Sequence, residues 1–261
     1  MKMYIMFTDE TNKEPTKDAK FFVYGGLLFP IDQLFKLGVK IAQIRNTAGY
    51  NSTDEFKFNT HSKPGHVSKE NFKKAKDDVL ELCSKLGCKF IVHVILHKII
   101  ENQNQDRQVE WAADYVIGRY NKYLNGIKDV GLCVVDNLPN KSQWKYLAYK
   151  FTKGLKIIGQ KDVPLEQIKL FAASCINASH AISAVDIVLG SFRYAINNSS
   201  NDQVAQHLMK RVFPMIWHEK INGQIEVIGK GLILRPEITK VSNKYKPEYN
   251  ILVNHIQNLL S

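Results

Sequence analysis

The sequence predicts a single α/β domain with a C-terminal extension, and three observations predict it. Short apolar runs alternate with segments of helical periodicity along most of the 261 residues, a length that α/β units often fold as one piece. Hydrophobic residues make up 44% of the chain, enough to bury a sizeable core and too many for a disordered one. Two of the apolar runs end on an aspartate, at the strand edge where open α/β sheets gather their functional side chains.

Residues 3–8 form the first apolar run, ending at Asp9-Glu10, and residues 21–29 form the second. The polar stretch between them carries Pro15, so the pair reads as a β-hairpin with a long loop. The opening Met1-Lys2-Met3 begins like a signal peptide but meets two acids before any usable apolar stretch, and is read as strand. Pro30 stops the second strand. Leu34, Leu37, Ile41 and Ile44 then recur at helical spacing, giving a helix to about Asn46. Residues 49–67 are irregular and hold Glu55-Phe56-Lys57-Phe58.

Ser68 is placed to cap a helix whose buried side is Phe72, Ala75, Val79, Leu80 and Cys83, closed by Gly87. Residues 88–97 are apolar on both faces, which suits a central strand. Residues 106–124 give the clearest helix, with Val109, Ala112, Ala113, Val116, Ile117, Tyr120 and Leu124 on one face. A continuous apolar strand follows at 130–136 and ends on Asp136. Next come a helix near 141–156, with Trp144, Leu147, Ala148, Phe151 and Leu155 as its core face, a strand near 167–173 and a helix over 179–197. Residues 1–200 form the core in this reading. Residues 201–261 are an extension packed on it, with a helix at 202–217, a strand pair around 224–235 and a terminal helix at 247–260.

The 36 basic residues exceed the 25 acidic ones, a formal charge of +11 that favours a polyanionic partner, nucleic acid being the commonest. No apolar run approaches the ~20 residues of a membrane span. Cys83, Cys88, Cys133 and Cys175 show no CxxC spacing and read as buried thiols of a reducing compartment, so the expected location is the cytoplasm. His61, His66, His93 and His97 form no compact zinc quartet, and His93 and His97 read as satisfied core histidines. Gly25-Gly26 and Gly229-Lys230-Gly231 lack the spacing of a phosphate-cradling loop, and no Gly-x-Ser-x-Gly is present.

The acids are the informative feature. Asp9 and Asp136 end apolar strands, and neighbouring strands lie only ~5 Å apart, so the two could share a cation. Asp186 interrupts the apolar helix 181–190, a costly setting unless a partner compensates it. A metal held with the other acids would do so, and so would Arg193 two turns away. Any one of these acids could equally be a cap or a surface charge.

Five ordered blocks carry a resemblance: Thr8-Asp9-Glu10, Val23-Tyr24-Gly25-Gly26, Glu55-Phe56-Lys57, Val134-Val135-Asp136, and the run from Ser183 through Asp186 to Gly190. Together they resemble the domain-of-unknown-function 3800 family, over roughly residues 3–197. The resemblance implies an RNase H-like mixed central sheet flanked by helices and a metal site built from Asp9, Glu55, Asp136 and Asp186. Two blocks depart from the family pattern. Asp9-Glu10-Thr11-Asn12 stands where many members have Asp-Glu-Ser-Gly, and Ser183-Ala184-Val185-Asp186 stands where many have Gln-Leu-Ala-Asp.

The chemistry so implied is two-metal hydrolysis of phosphodiester bonds in DNA or RNA with Mg2+ or Mn2+, Asp9 bridging the ions by analogy. Lys57 falls two residues after Glu55, on the same side of an extended segment, and either contacts phosphate or pairs with Glu55. His180 and Ser183 share a helix face with Asp186 and are candidates for touching substrate. Lys141 and Lys145, with Lys153 and Lys156, form a basic edge that contacts phosphate or is simply solvated. The competing function is an RNase H-like module that binds nucleic acid or protein without cutting.

Overall fold

The chain begins with an antiparallel pair, β1 (Met3–Thr11) and β2 (Phe21–Pro30), in which Ile5 lies opposite Phe29 and Asp9 opposite Gly25. The computed structural model describes residues 2–11, 20–101, 104–136, 143–156, 161–174, 179–197 and 203–258. A single 3-10 turn leads into α1 (Leu34–Ala48), which ends where Gly49 takes a left-handed φ of 91°. After the irregular stretch, the Ser68 hydroxyl accepts the Asn71 amide at 3.0 Å and starts α2 (Lys69–Lys85). Its five expected core positions are all buried.

β3 (Lys89–Leu96) pairs antiparallel with β2, and a short turn, α3 (His97–Ile100), leads to the long α4 (Gln105–Ile127). β4 (Val130–Val135) returns parallel to β1. Then follow α5 (Gln143–Thr152), β5 (Ile168–Ala173) parallel to β4, and α6 (His180–Asn197). The remainder contributes α7 (Gln203–Val212), a hairpin of β6 (Glu219–Ile221) and β7 (Gln224–Glu226), β8 (Leu232–Arg235) and α8 (Lys246–Asn258). The main sheet has the order β5-β4-β1-β2-β3-β8, with β2 alone reversed. Its first five strands make the RNase H-like arrangement, a mixed central sheet flanked by helices.

Strand alternation sends successive side chains to two separate cores. Ile5, Val23, Leu27, Phe29, Val92 and Val94 pack under α1, α2 and α6, together with Met209 of α7 and Tyr249 of α8. Met6, Phe22, Tyr24, Leu28 and Ile91 pack on the other face against Val109, Ala112, Val116, Ile117 and Tyr120 of α4. α6 lies close over β2 at Gly25, where the strand carries no side chain: a Cβ there would sit 2.7 Å from Leu189 Cδ1 and 2.9 Å from Phe90 Cε2.

Four local expectations change. The strand pair around 224–235 is two separate things. Asn222 and Gly223 both take positive φ (52° and 82°) and close the β6–β7 hairpin, while the apolar Leu232–Leu234 run finds the open edge of β3 and joins the main sheet. The helix from 202 stops at Val212 because Pro214 removes a donor and the chain continues as 3-10. The core face expected for α5 holds only in part: Leu147 and Leu155 pack on the second core, Ala148 and Phe151 are exposed, and the Trp144 side chain lies outside the described residues. Lys150 is buried instead, 2.7 Å from Asp114, whereas Phe151 is 62% exposed. Finally, His97 opens α3 rather than sharing the strand face of His93, and the buried His93 Nδ1 has no hydrogen-bond partner among the described residues, so there His93 is not the satisfied core histidine expected.

Candidate carboxylate site

The sheet brings two acids level. Phe7 of β1 pairs with Val134 of β4 in parallel register, so two residues further on Asp9 stands beside Asp136 at the carboxyl edge. Asp136 follows the end of β4, but Asp9 lies inside β1, because Glu10 and Thr11 still find partners in Tyr24 and Val23 of β2. By alternation Asp9 shares the face of Ile5 and Phe7, the side covered by α6. Asp186 is carried there by α6, between buried Val185 and Ile187.

Carboxylate oxygens of Asp9, Glu10 and Asp136 all lie within 4.8 Å of one another, and all three residues are half-buried. Together with Thr8, Lys57, Ser174, Ser183 and Asp186 they line an open cavity of about 200 Å³. The Glu10 amide donates to Asp9 Oδ1 at 2.8 Å. Burial first, then the charges of Glu10, Asp186 and Asp136, holds the Asp9 carboxyl well above the ordinary carboxylate range, against that one opposing hydrogen bond. A cation would relieve this crowding. Three hard carboxylates are the donor set that Mg2+ or Mn2+ takes, so the residues fit such an ion.

The loop after α1 supplies the fourth wall. Arg45 holds its backbone through the carbonyls of Asn51 (3.1 Å) and Asp54 (2.5 Å), and the buried Phe56 ring packs on Tyr50 at 4.9 Å. The Phe58 amide then donates to Asp186 Oδ2 at 2.5 Å, and Lys76 of α2 reaches the Phe58 carbonyl at 3.1 Å. Burial raises Asp186, opposed by the Phe58 amide and by the Lys57, Arg193 and Lys76 charges. Lys76 itself is lowered to about 8 by burial and by Lys73.

Among the expected site residues, Asp9, Asp136, Asp186, Lys57 and Ser183 meet at the cavity. Glu55 does not line it. Buried Phe56 anchors the loop, and Glu55 stays 44% exposed outside, 3.0 Å from Lys57. His180 is also outside. It is half-buried at the start of α6 and lowered by burial and by Arg45. Lys145 is exposed on α5, and Lys141 lies outside the described residues. Glu10 and Ser174 are the additions. Ser174 follows β5 and is held by its amide to the Val135 carbonyl at 2.9 Å. The signal for Glu10 was only its adjacency to Asp9.

No described helix is long and apolar enough to cross a membrane. No protein-family model and no curated protein matches the chain. Among solved structures it is similar to Bst-RNase HIII in complex with Mn2+, with 9% identity, a TM-score of 0.42, and coverage of 81% of this chain and 62% of that one. A point variant of Bst-RNase HIII matches with 12% identity and a TM-score of 0.38, over 80% of this chain and 61% of that one. The chain thus spans about three-fifths of the length of the structures it matches.

Proposed function

We propose that the chain is a metal-dependent nuclease that hydrolyses phosphodiester bonds in DNA or RNA. One observation carries the reading: the oxygens of Asp9, Glu10 and Asp136 lie within 4.8 Å of one another at the carboxyl edge of β1 and β4, in the same cavity as Asp186. Asp9, Glu10 and Asp136 would hold Mg2+ or Mn2+, and Asp186 would add the oxygen that Phe58 leaves unused. Bound divalent ions supply an activated water and offset charge on the leaving oxygen. Lys57, on the cavity wall, offsets charge on the scissile phosphate while Glu55 steadies its ammonium group. The Ser183 hydroxyl is placed to hold substrate. The ordered blocks around the acids support membership of the domain-of-unknown-function 3800 family, with residues 1–200 as catalytic core and 201–261 as its extension.

A second reading has an observation of its own. Asp186 already has an amide donor and three cations around it, so it needs no metal, and a cavity so arranged would suit a module that binds without cutting. Labelled RNA, DNA and hybrid substrates, incubated with Mg2+ or Mn2+ and then with chelator, separate the two. Cleavage that chelator abolishes, and that Asp136→Asn and Asp9→Asn reduce at least a hundredfold (~3 kcal/mol in the barrier), supports the enzyme. Binding without cleavage supports the module.

A further inference from the structure

On the sheet face opposite the carboxylate cavity, the outer side of α4 carries a stripe of cations and aromatic rings. Arg107, Trp111, Tyr115 and Arg119 recur every four residues, with Lys122 three further on, so all five share one side of the helix. That side flanks the one that carries Val109, Ala112, Val116 and Tyr120 into the second core, and Arg119, seven residues after Ala112, is half-buried at the border between them. Trp111 is 49% exposed and Tyr115 40% exposed, unusual for large rings at neighbouring turns.

β8 adds a further cation. The Arg235 guanidinium carbon lies 4.4 Å from the centre of the Tyr115 ring, and His93 of β3 stacks on the same ring at 5.2 Å with only 7° between the planes. Tyr115 and Arg235 are therefore held in place before any ligand arrives, which lowers the ordering cost of binding. Glu237 and Glu219 are the acids whose charges act on Arg119. Both are already engaged, Glu237 with Arg235 (2.9 Å) and Lys240 (3.0 Å), Glu219 with Lys230. On α4 itself Asp106 and Glu110 lie beside Arg107 and Asp114 is taken by Lys150 (2.7 Å), so Arg107, Arg119, Lys122 and Arg235 still outnumber the acids along the stripe.

Trp, Tyr and Arg also favour protein partners. The alternation of charge and ring matches a polyanion that carries flat bases: phosphates take Arg and Lys, and unstacked bases take ring faces. We propose that this stripe is a docking platform for single-stranded nucleic acid, separate from the carboxylate cavity. Its platform ring is Trp111, and its phosphate contacts are Arg107, Arg119, Lys122 and Arg235.

The full chain is titrated, in chelator, with fluorescently labelled oligothymidylate and oligouridylate. Trp111→Ala should weaken binding roughly tenfold and remove most of the tryptophan quenching seen in the parent chain. Arg119→Gln should lower the salt slope by about 0.7. Phe35→Ala, an exposed ring on α1, should bind like the parent. Unchanged affinity in Trp111→Ala overturns the platform. So does equal competition by inorganic polyphosphate, which would mean that charge alone is read, and so does a Trp111→Ala defect confined to self-association in sedimentation. Because chelator removes metal chemistry, a chain that binds through the stripe and never cuts upholds the platform while the nuclease reading fails.

Discussion

The Phe58 amide donates to Asp186 Oδ2 at 2.5 Å, and this bond fastens the loop after α1 to the middle of α6. The Phe58 ring completes the joint. It lies against Gly190, one turn beyond Asp186, with the Lys76 ammonium 4.3 Å and the Arg193 guanidinium 5.8 Å from its centre. One side chain and one amide thus set both the rotamer of Asp186 and the position of Lys57 at the cavity.

Gly190→Ala should open this joint. The new methyl would fall 2.4 Å from Phe58 Cγ and 2.5 Å from its Cβ, too close for the ring to stay. The expected cost is about 1–3 kcal/mol in urea denaturation, the range for overpacking a filled site. Hydrogen exchange at the Phe58 amide should accelerate with it. A variant as stable as the parent, with that amide still protected, would mean that the ring does not hold the loop.

Asp9→Asn should have opposite effects with and without metal. Without a cation, the Asp9 carboxylate is crowded by Glu10, Asp136 and Asp186, so removing its charge should raise the melting temperature at neutral pH. The parent chain should be stabilised on adding Mg2+ or Mn2+, by about 2.7 kcal/mol at a hundredfold excess over the dissociation constant. The variant should lose that gain. Scanning calorimetry of both proteins with and without ions reads both effects, and an Asp9→Asn chain that still gains from metal would remove Asp9 from the ion's ligands.

His93 supplies a pH dependence remote from the cavity. Burial, helped by the Arg235 charge, lowers its pKa to about 3. Folded His93 therefore stays neutral while the unfolded chain takes up a proton below the ordinary value of ~6.5. The unfolded state binds more protons as pH falls, so the contribution is fully present above pH ~6.5 and is lost toward pH 3, by at most ~1.4 kcal/mol per unit. His93→Phe keeps a ring against Tyr115 and titrates nowhere. Urea midpoints from pH 7 to pH 4 should fall more shallowly in the variant; parallel slopes would mean that other groups carry the acid sensitivity.

β1 to β5 were legible because each is a continuous or alternating apolar run, whereas the short, exposed β6 and β7 carry no such pattern. Asp9 and Asp136 were legible because an acid at a strand end needs only the strand to be recognised. Glu10 was not, since alternation assigns it to the opposite side of β1 from Asp9, and only the folded arrangement shows its carboxylate among the others. Glu55 was placed through its neighbour Lys57, but the anchor of that loop is buried Phe56, and a pattern of charges cannot say which of two flanking residues reaches inward. In α5 the helical pattern ranked Phe151 above Lys150. What buries Lys150 is Asp114 with the Tyr146 ring (4.6 Å), a pairing that reaches back to α4 and leaves no trace in local periodicity. The aromatic stripe of α4 was hidden by the same helix's clear core face, which drew attention to its other side.

Ending the chain at residue 200 tests how far the core stands alone. The cut removes β8, and with it the neighbour that covers the edge of β3 from Val92 to Ile95. It also removes Tyr249, whose fully buried ring packs on Phe21 at 5.8 Å and whose hydroxyl accepts the Leu96 amide at 3.1 Å and donates to the Arg235 carbonyl at 2.5 Å. Loss of one such buried aromatic costs about 3–5 kcal/mol, a large part of the ~5–15 kcal/mol that holds a domain folded. Met209, Val212, Met215 and Leu252 leave the same core. The bare edge of β3 would also be open to pairing with other chains. The truncated protein is therefore expected to aggregate or to unfold without a cooperative urea transition. A soluble chain of residues 1–200 with a single sharp transition would show that residues 201–261 are an appendage rather than part of the folding unit.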